Sequence, residues 1–446
     1  MMLGAFDLHI GGFGLSLPSE TSGHIALFLA AALVLASQAP QTSASEDGRI
    51  GVLYIGCLAR STPFWWMRSD MLFSMNFVQA TLRDWAAWGP SQVARSETDV
   101  YRMIRLYMPR SVSDLTTRFD VIILANANRI AVSPKNTEML AAGVKEAAMG
   151  LVMFGGWESF GGTGSAYPSW GETTVGQLLP TEDAGAIYIY LPASSHRLVI
   201  DEPEHEFMSS LPWDSRQPFM YNFHHNLVTA RAGAEVLAHV ESFAYKDHPG
   251  FVTWELEGGA RTFSITGEII GPSSEPGQLH TMCTRGNPWE YALDFGANLM
   301  IYLDRRPVPQ DVQLVHRVRM RMFEFSTRKS LLIGLLEFCD SFGANTAKIQ
   351  VKIDGAAQIT LDALPDYLEL RFEEVLEAYD QVHGMLTEIE QDAIRLKNRA
   401  LLWVHIIEWL AVSGTGMMAG FLLWSIMVRR RLWKEVGTTR LMAQDA

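Results

Sequence analysis

Between two apolar segments, the chain alternates short runs of core-type residues with amphipathic stretches. From Arg49, RIGVLYIG is apolar, rich in β-branched residues and closed by glycine, which predicts a buried first strand. FWWMRSDMLFSMNFVQATLRDWAAW can bury one face at helical spacing and predicts a helix over residues 64–88. Val100–Tyr107 and Phe119–Ala125 predict further strands. Ser133 followed by Pro134 has the cap-then-proline signature of a helix start, and SPKNTEMLAAGVKEAA supplies good helix formers behind it. Gly150–Phe154 predicts another buried strand. This strand–helix rhythm predicts an α/β domain with a mainly parallel sheet and helices on both faces.

Past Gly171 the pattern turns β-rich, with AIYIY at 186, RLVI at 197, EVLAHV at 235, FVTWEL at 251 and ARTFSIT at 260, then a helix over Pro288–Leu303. RRPVP at 305–309 marks a linker, so residues 49–305 form one predicted domain. A helical membrane-proximal region is predicted over residues 310–400, with helices at Ser326–Phe342, Pro365–His383 and Met385–Arg399. Asp354-Gly355 could turn a hairpin between KIQVKI and AAQITL, but a lone hairpin among helices is marginally stable, which favours helix there too. No repeat and no clean heptad are present, so a long coiled coil is not predicted.

The two apolar segments change the picture most. His24–Ser37 is uncharged and of the length of a signal-peptide h-region, followed by small and polar residues; residues 1–44 read as a signal peptide or an N-terminal anchor. The stretch ahead of it lacks the Lys and Arg of an ordinary n-region. Trp409–Val428 is uncharged throughout and ends against Arg429, Arg430 and Arg431, with Trp403, Trp409, Trp424 and Trp433 placed as interfacial aromatics. It predicts a single transmembrane helix within residues 402–428, a basic cytoplasmic tail at 429–446, and a large domain outside the cell membrane. Gly416 and Gly420 form a GxxxG face that permits close approach of two helices, so a homodimer through this segment is a candidate.

With 49 acidic against 36 basic residues the net charge is −13, the opposite of what phosphate backbones attract, so nucleic acid is not an expected partner. The three cysteines, Cys57, Cys283 and Cys339, form no CxxC pair, which excludes a zinc ribbon or thioredoxin-type site. His224 and His225 are adjacent, and neighbours on a strand point to opposite faces, so they make a poor metal pair. No metal site and no cofactor motif is expected.

Candidate chemistry concentrates in FGGWESFGGTG, Phe154–Gly164, which leaves a predicted strand where an α/β sheet opens its ligand crevice. Together with FDVIILAN before it, YPSWGETTVGQLLP after it, VLYIG, EHEFMSSLPW, GAEVLAHV, ARTFSITG and NPWEYALDFGANLMIYL, this stretch resembles the class I glutamine amidotransferase-like superfamily. The branch it is most similar to carries a GGxxSFGG elbow, and the resemblance covers residues 50–303. It implies a flavodoxin-like sheet and an elbow Cys activated by a downstream His-Glu pair. Gly155 or Gly156 falls where that Cys would stand, and Glu268 lies near the base position with no His beside it; His248 precedes a different strand. The amidotransferase triad is therefore absent and no catalytic residue is assigned. The elbow residues Gly155, Gly156, Trp157, Glu158, Ser159 and Gly161 are the ligand-binding candidates, joined by Gly162, Asn126 and Glu268. The expected function is a membrane-anchored binding or scaffold module, the alternatives being a hydrolase using a non-standard residue set in the same crevice or a transmembrane signalling component.

Overall fold

The computed structural model describes residues 48–57, 64, 67, 68, 70–82, 97–156, 158–161, 168–190, 196–216, 224–242, 246–268 and 289–442. The predicted N-terminal signal or anchor lies outside the described residues. The chain divides into two compact units, residues 1–312 and 313–446.

The first unit is built on a ten-stranded sheet. Strands β1 (Ile50–Gly56), β2 (Phe73–Gln79), β3 (Val121–Ala125) and β4 (Gly150–Gly155) come from the first half of the unit, and β5 (Thr181–Tyr190), β6 (His196–Ile200), β7 (His224–Ala230), β8 (Glu235–Ser242), β9 (His248–Glu255) and β10 (Arg261–Glu268) from the second. The main path runs β2-β1-β3-β4-β10-β9-β8-β6. It is parallel from β2 through to β10 and antiparallel from β10 to β6. Every residue of β1, β3 and β4 is buried, as expected of strands covered on both faces. Off this path, β7 pairs with β5 and touches β10 at Gly267 opposite His225.

Helices α1 (Glu97–Tyr107), α2 (Val112–Arg118), α3 (Pro134–Ala147) and α4 (Ala292–Leu303) accompany the sheet. Ser133 caps α3 as its sequence predicts, its hydroxyl accepting from the Asn136 N–H. Ser111 does the same for α2 from the Asp114 N–H.

Two expectations are corrected in the first unit. The helix predicted over residues 64–88 holds a strand instead, because FSMNFVQ pairs along its whole length with β1 as the sheet's edge; residues 83–96 lie outside the described residues. Val100–Tyr107 is not a strand but part of α1. Its buried residues, Val100 and Ile104, are one helical turn apart, with Glu97 and Asp99 in the first turn and Arg105 in the last, where they complement the helix dipole.

At the amino edge of the parallel strands, the Asp120 carboxylate accepts the Gly51 N–H at 2.8 Å. Asp304, just past α4, accepts from Arg306 Nε at 2.7 Å, and Arg306 also donates to the Gly48 carbonyl at 3.0 Å. The second Asp304 oxygen is buried without a hydrogen bond. Burial, reinforced by the Asp120 charge and opposed by Arg306, pushes the Asp304 carboxyl up to about 7.

The second unit is helical: α5 (Val312–Ser341, its first residue closing the first unit), α6 (Ala347–Asp362), α7 (Leu364–Leu368) and α8 (Phe372–Met442). The segment around Asp354-Gly355 is helix, as the marginal stability of a lone hairpin favours. Leu332 and Leu336 of α5, Ile349 and Ile353 of α6, and Val382, Leu386 and Ile389 of α8 share one core. Of the helices predicted at 365–383 and 385–399, the first turn falls in the separate α7, and from Phe372 onward the two are corrected to one continuous α8 that also carries the apolar segment. Among the described residues this is the one helix long and apolar enough to cross a membrane, and none of its most apolar window is buried.

Candidate functional site

β4 ends at Gly155, and the chain turns sharply at Gly156, whose φ of +146° is a conformation that L side chains rarely adopt. Both glycines are pressed against neighbouring strands. A Cβ on Gly155 would collide with the Thr266 carbonyl of β10 and lie 2.8 Å from Asn226 Oδ1; one on Gly156 would lie 2.7 Å from Asn126 Oδ1. Glycine at these two positions is thus a requirement of close packing between β3, β4, β7 and β10.

Two buried asparagines hold the turn. Asn226, on β7, accepts the Gly156 N–H at 2.8 Å and donates through Nδ2 to the carbonyls of Gly156 at 3.2 Å and Ser159 at 3.3 Å. Asn126, where β3 ends, has the left-handed φ of +50° that Asn tolerates better than most residues. Its Oδ1 accepts the Glu158 N–H at 2.8 Å, and its own N–H donates to Ser159 Oγ at 3.1 Å. Thr81 Oγ1 donates to the Asn126 carbonyl at 3.0 Å, tying the exit of β2 to the same knot.

Glu158 and Ser159 are 2% and 1% exposed, and those values bear on their role. Glu158 Oε2 accepts the Leu82 N–H at 2.9 Å, so this carboxylate reaches back to the segment after β2. The Ser159 hydroxyl is engaged by Asn126. Both side chains brace three crossover segments against one another. Trp170 completes the brace, its indole N–H donating to the Ala127 carbonyl at 2.8 Å.

The structure therefore brings together Asn126, Gly155, Gly156, Glu158 and Ser159, with Gly161 buried beside them. The main chain of Glu268 pairs with Gly155 across a bulge in β10; its side chain, like Trp157 and Gly162, lies outside the described residues. Gly416 and Gly420 sit in the second unit with open space around them. Cys57 is buried, and its N–H donates to the Ala125 carbonyl.

Two residues that sequence reasoning set aside come to this edge. β9 returns antiparallel beside β10, so His248, which opens β9, comes to the end of β10 where Glu268 stands. β7 brings His225 to the same place, opposite Gly267. The two imidazoles stack face to face, 5.0 Å apart and 8° from parallel. His248 Nδ1 faces the Lys246 carbonyl at 3.2 Å, its Nε2 is buried without a hydrogen bond, and burial pushes its pKa down. The available signal was that His248 lies just ahead of FVTWEL, which a short turn separates from ARTFSIT; β7 itself carried no alternation strong enough to find. Among the described residues no three His, Cys, Asp or Glu side chains are grouped to hold a metal ion. Away from the elbow, a cleft of about 620 Å³ opens between β6 and residues 203–214.

No family model matches the chain, and no curated protein matches it. Among solved structures, the chain is similar to a cytoplasmic protein from Salmonella typhimurium, with 16% identity and a TM-score of 0.41, over 57% of this chain and 99% of that one. That likeness is too slight to carry fold or function across.

Proposed function

We propose that this chain is a membrane-anchored, extracytoplasmic protein whose first unit resembles a class I glutamine amidotransferase-like domain and acts as a binding or scaffold module without glutaminase activity. The observation that carries the reading is the closed elbow: at neither Gly155 nor Gly156 is there room for the side chain of a nucleophile. The strand order β2-β1-β3-β4-β10 supports a flavodoxin-like sheet, and the elbow lies at the carboxyl ends of its parallel strands, where such sheets take ligands. Anchorage rests on α8, with Arg429, Arg430 and Arg431 on the cytoplasmic side, and pairing of two chains through Gly416 and Gly420 belongs to the same proposal.

The test has two readouts on the full chain. Protease added to spheroplasts should remove the large unit while a C-terminal tag survives, and the purified chain should release no more ammonia from glutamine than a heat-killed control, with Cys57→Ala behaving identically. Loss of the tag with survival of the large unit overturns the orientation; a glutaminase rate abolished by Cys57→Ala overturns the chemistry.

The stacked His225 and His248 favour a second reading, a hydrolase with an unusual residue set, because burial keeps His248 neutral and able to accept a proton. An esterase or amidase activity lost in His248→Ala would select it.

A further inference from the structure

The second unit carries its own measure of height along α8. Arg321 of α5 pairs with Asp380 of α8 at 3.0 Å, and Arg328 with Glu390 at 2.6 Å, so the two helices run parallel and in step. Lys352 of α6 pairs with Asp392 at 2.6 Å, which sets α6 antiparallel to both. Thirteen residues beyond Arg328, α5 ends at Ser341; thirteen beyond Glu390 lies Trp403. At 1.5 Å per residue both distances are about 20 Å, so the α5–α6 turn is level with the first residues of the apolar part of α8. Among the described side chains of α8 the last buried one is Ala400, and none from Leu401 to Trp433 is buried. The bundle thus stops about two turns short of the uncharged segment that begins at Trp409.

The end of the bundle exposes aromatic rings beside cations. Phe338 and Phe342 form an edge-to-face pair with centroids 4.9 Å apart, yet are 41% and 44% exposed. Lys348, Arg395, Lys397 and Arg399 surround that level, against Glu337 and Asp340, which leaves two positive charges on an otherwise acidic protein. Exposed aromatics flanked by cations are the composition of a surface that meets a membrane interface, with rings at the headgroup level and cations on phosphates. Counting back from Arg429, about 20 residues fill a hydrocarbon core of about 30 Å and bring the outer boundary to Trp409. Headgroups extend several ångströms further, and Leu402 to Glu408 occupy the two turns between that boundary and the bundle's end.

We infer that the α5–α6 turn seats in the phospholipid headgroup layer, with Phe342 as its apolar contact, so the bundle stands on the bilayer instead of hanging from a free tether. This inference rests on the proposal that α8 spans the membrane.

The experiment uses the full chain in phosphatidylcholine and phosphatidylglycerol vesicles, with photoreactive p-benzoylphenylalanine placed singly at Phe342, Leu361 or Trp424. Trp424 lies within the apolar segment, and Leu361 is an exposed residue at the other end of α6. After irradiation, mass spectrometry should find lipid adducts at 424 and, several-fold above those at 361, at 342. Adducts at 424 with position 342 no higher than 361 overturn the seated bundle and leave the span standing. No adduct at 424 overturns the span, and the inference with it.

Discussion

Asp304 offers a stability switch whose sign and size follow from its surroundings. Its side chain is 3% exposed, one oxygen has no hydrogen bond, and Asp120 lies close enough to disfavour a second negative charge. Arg306 holds the other oxygen but does not offset the burial, so the carboxyl rises from 3.8 to about 7. Because the folded state binds the proton more tightly than the unfolded chain, the stabilisation is fully present below the unfolded pKa and is lost as pH rises through the folded one. At about 1.4 kcal/mol per pKa unit, the shift is worth at most about 4 kcal/mol, spent between roughly pH 4 and pH 7. Asp304→Asn keeps an oxygen for Arg306 and removes the titration. Urea unfolding of the detergent-solubilised chain, followed by tryptophan fluorescence, should find variant and wild type of similar stability near pH 4. By pH 7.5 the variant should be more stable by up to that amount. Titrating groups remote from Asp304 cancel in the comparison. A variant less stable than wild type at pH 7.5, or a difference that does not grow with pH, would refute the reasoning.

Two further outcomes concern the elbow. Gly155→Ala should destabilise the first unit by about 1–3 kcal/mol in the same unfolding assay, because the added methyl meets the Thr266 main chain, which cannot rotate away; an unchanged midpoint would mean the strands are looser there. Asn226→Ala leaves the buried Gly156 N–H without its acceptor and should cost about 1–3 kcal/mol, with faster hydrogen exchange at Gly156 as the local signature.

Local chemistry alone carried several features to their correct places. The β1, β3 and β4 runs are apolar at every position because both sheet faces are covered, and the Ser133-Pro134 start dictates where α3 begins. The length and lack of charge of the apolar segment of α8 are readable without coordinates. The glycines of the elbow were legible as a place of close approach, and Asn126, Glu158 and Ser159 as its neighbours. Their roles were not: a sequence cannot say that the Glu158 carboxylate reaches Leu82, far back along the chain, or that Ser159 is taken by Asn126, since those bonds exist only once β2, β1, β3 and β4 are ordered in one sheet. The same holds for β2, whose FSMNFVQ becomes strand through pairing with β1, overriding a pattern that also suits a helix. His225 and His248 meet only because β9 folds back along β10 while β7, paired with β5, reaches β10 off the main path of the sheet. Periodicity reports which face of an element is buried; which elements become neighbours, and so which polar groups must satisfy one another away from water, is decided by the tertiary fold.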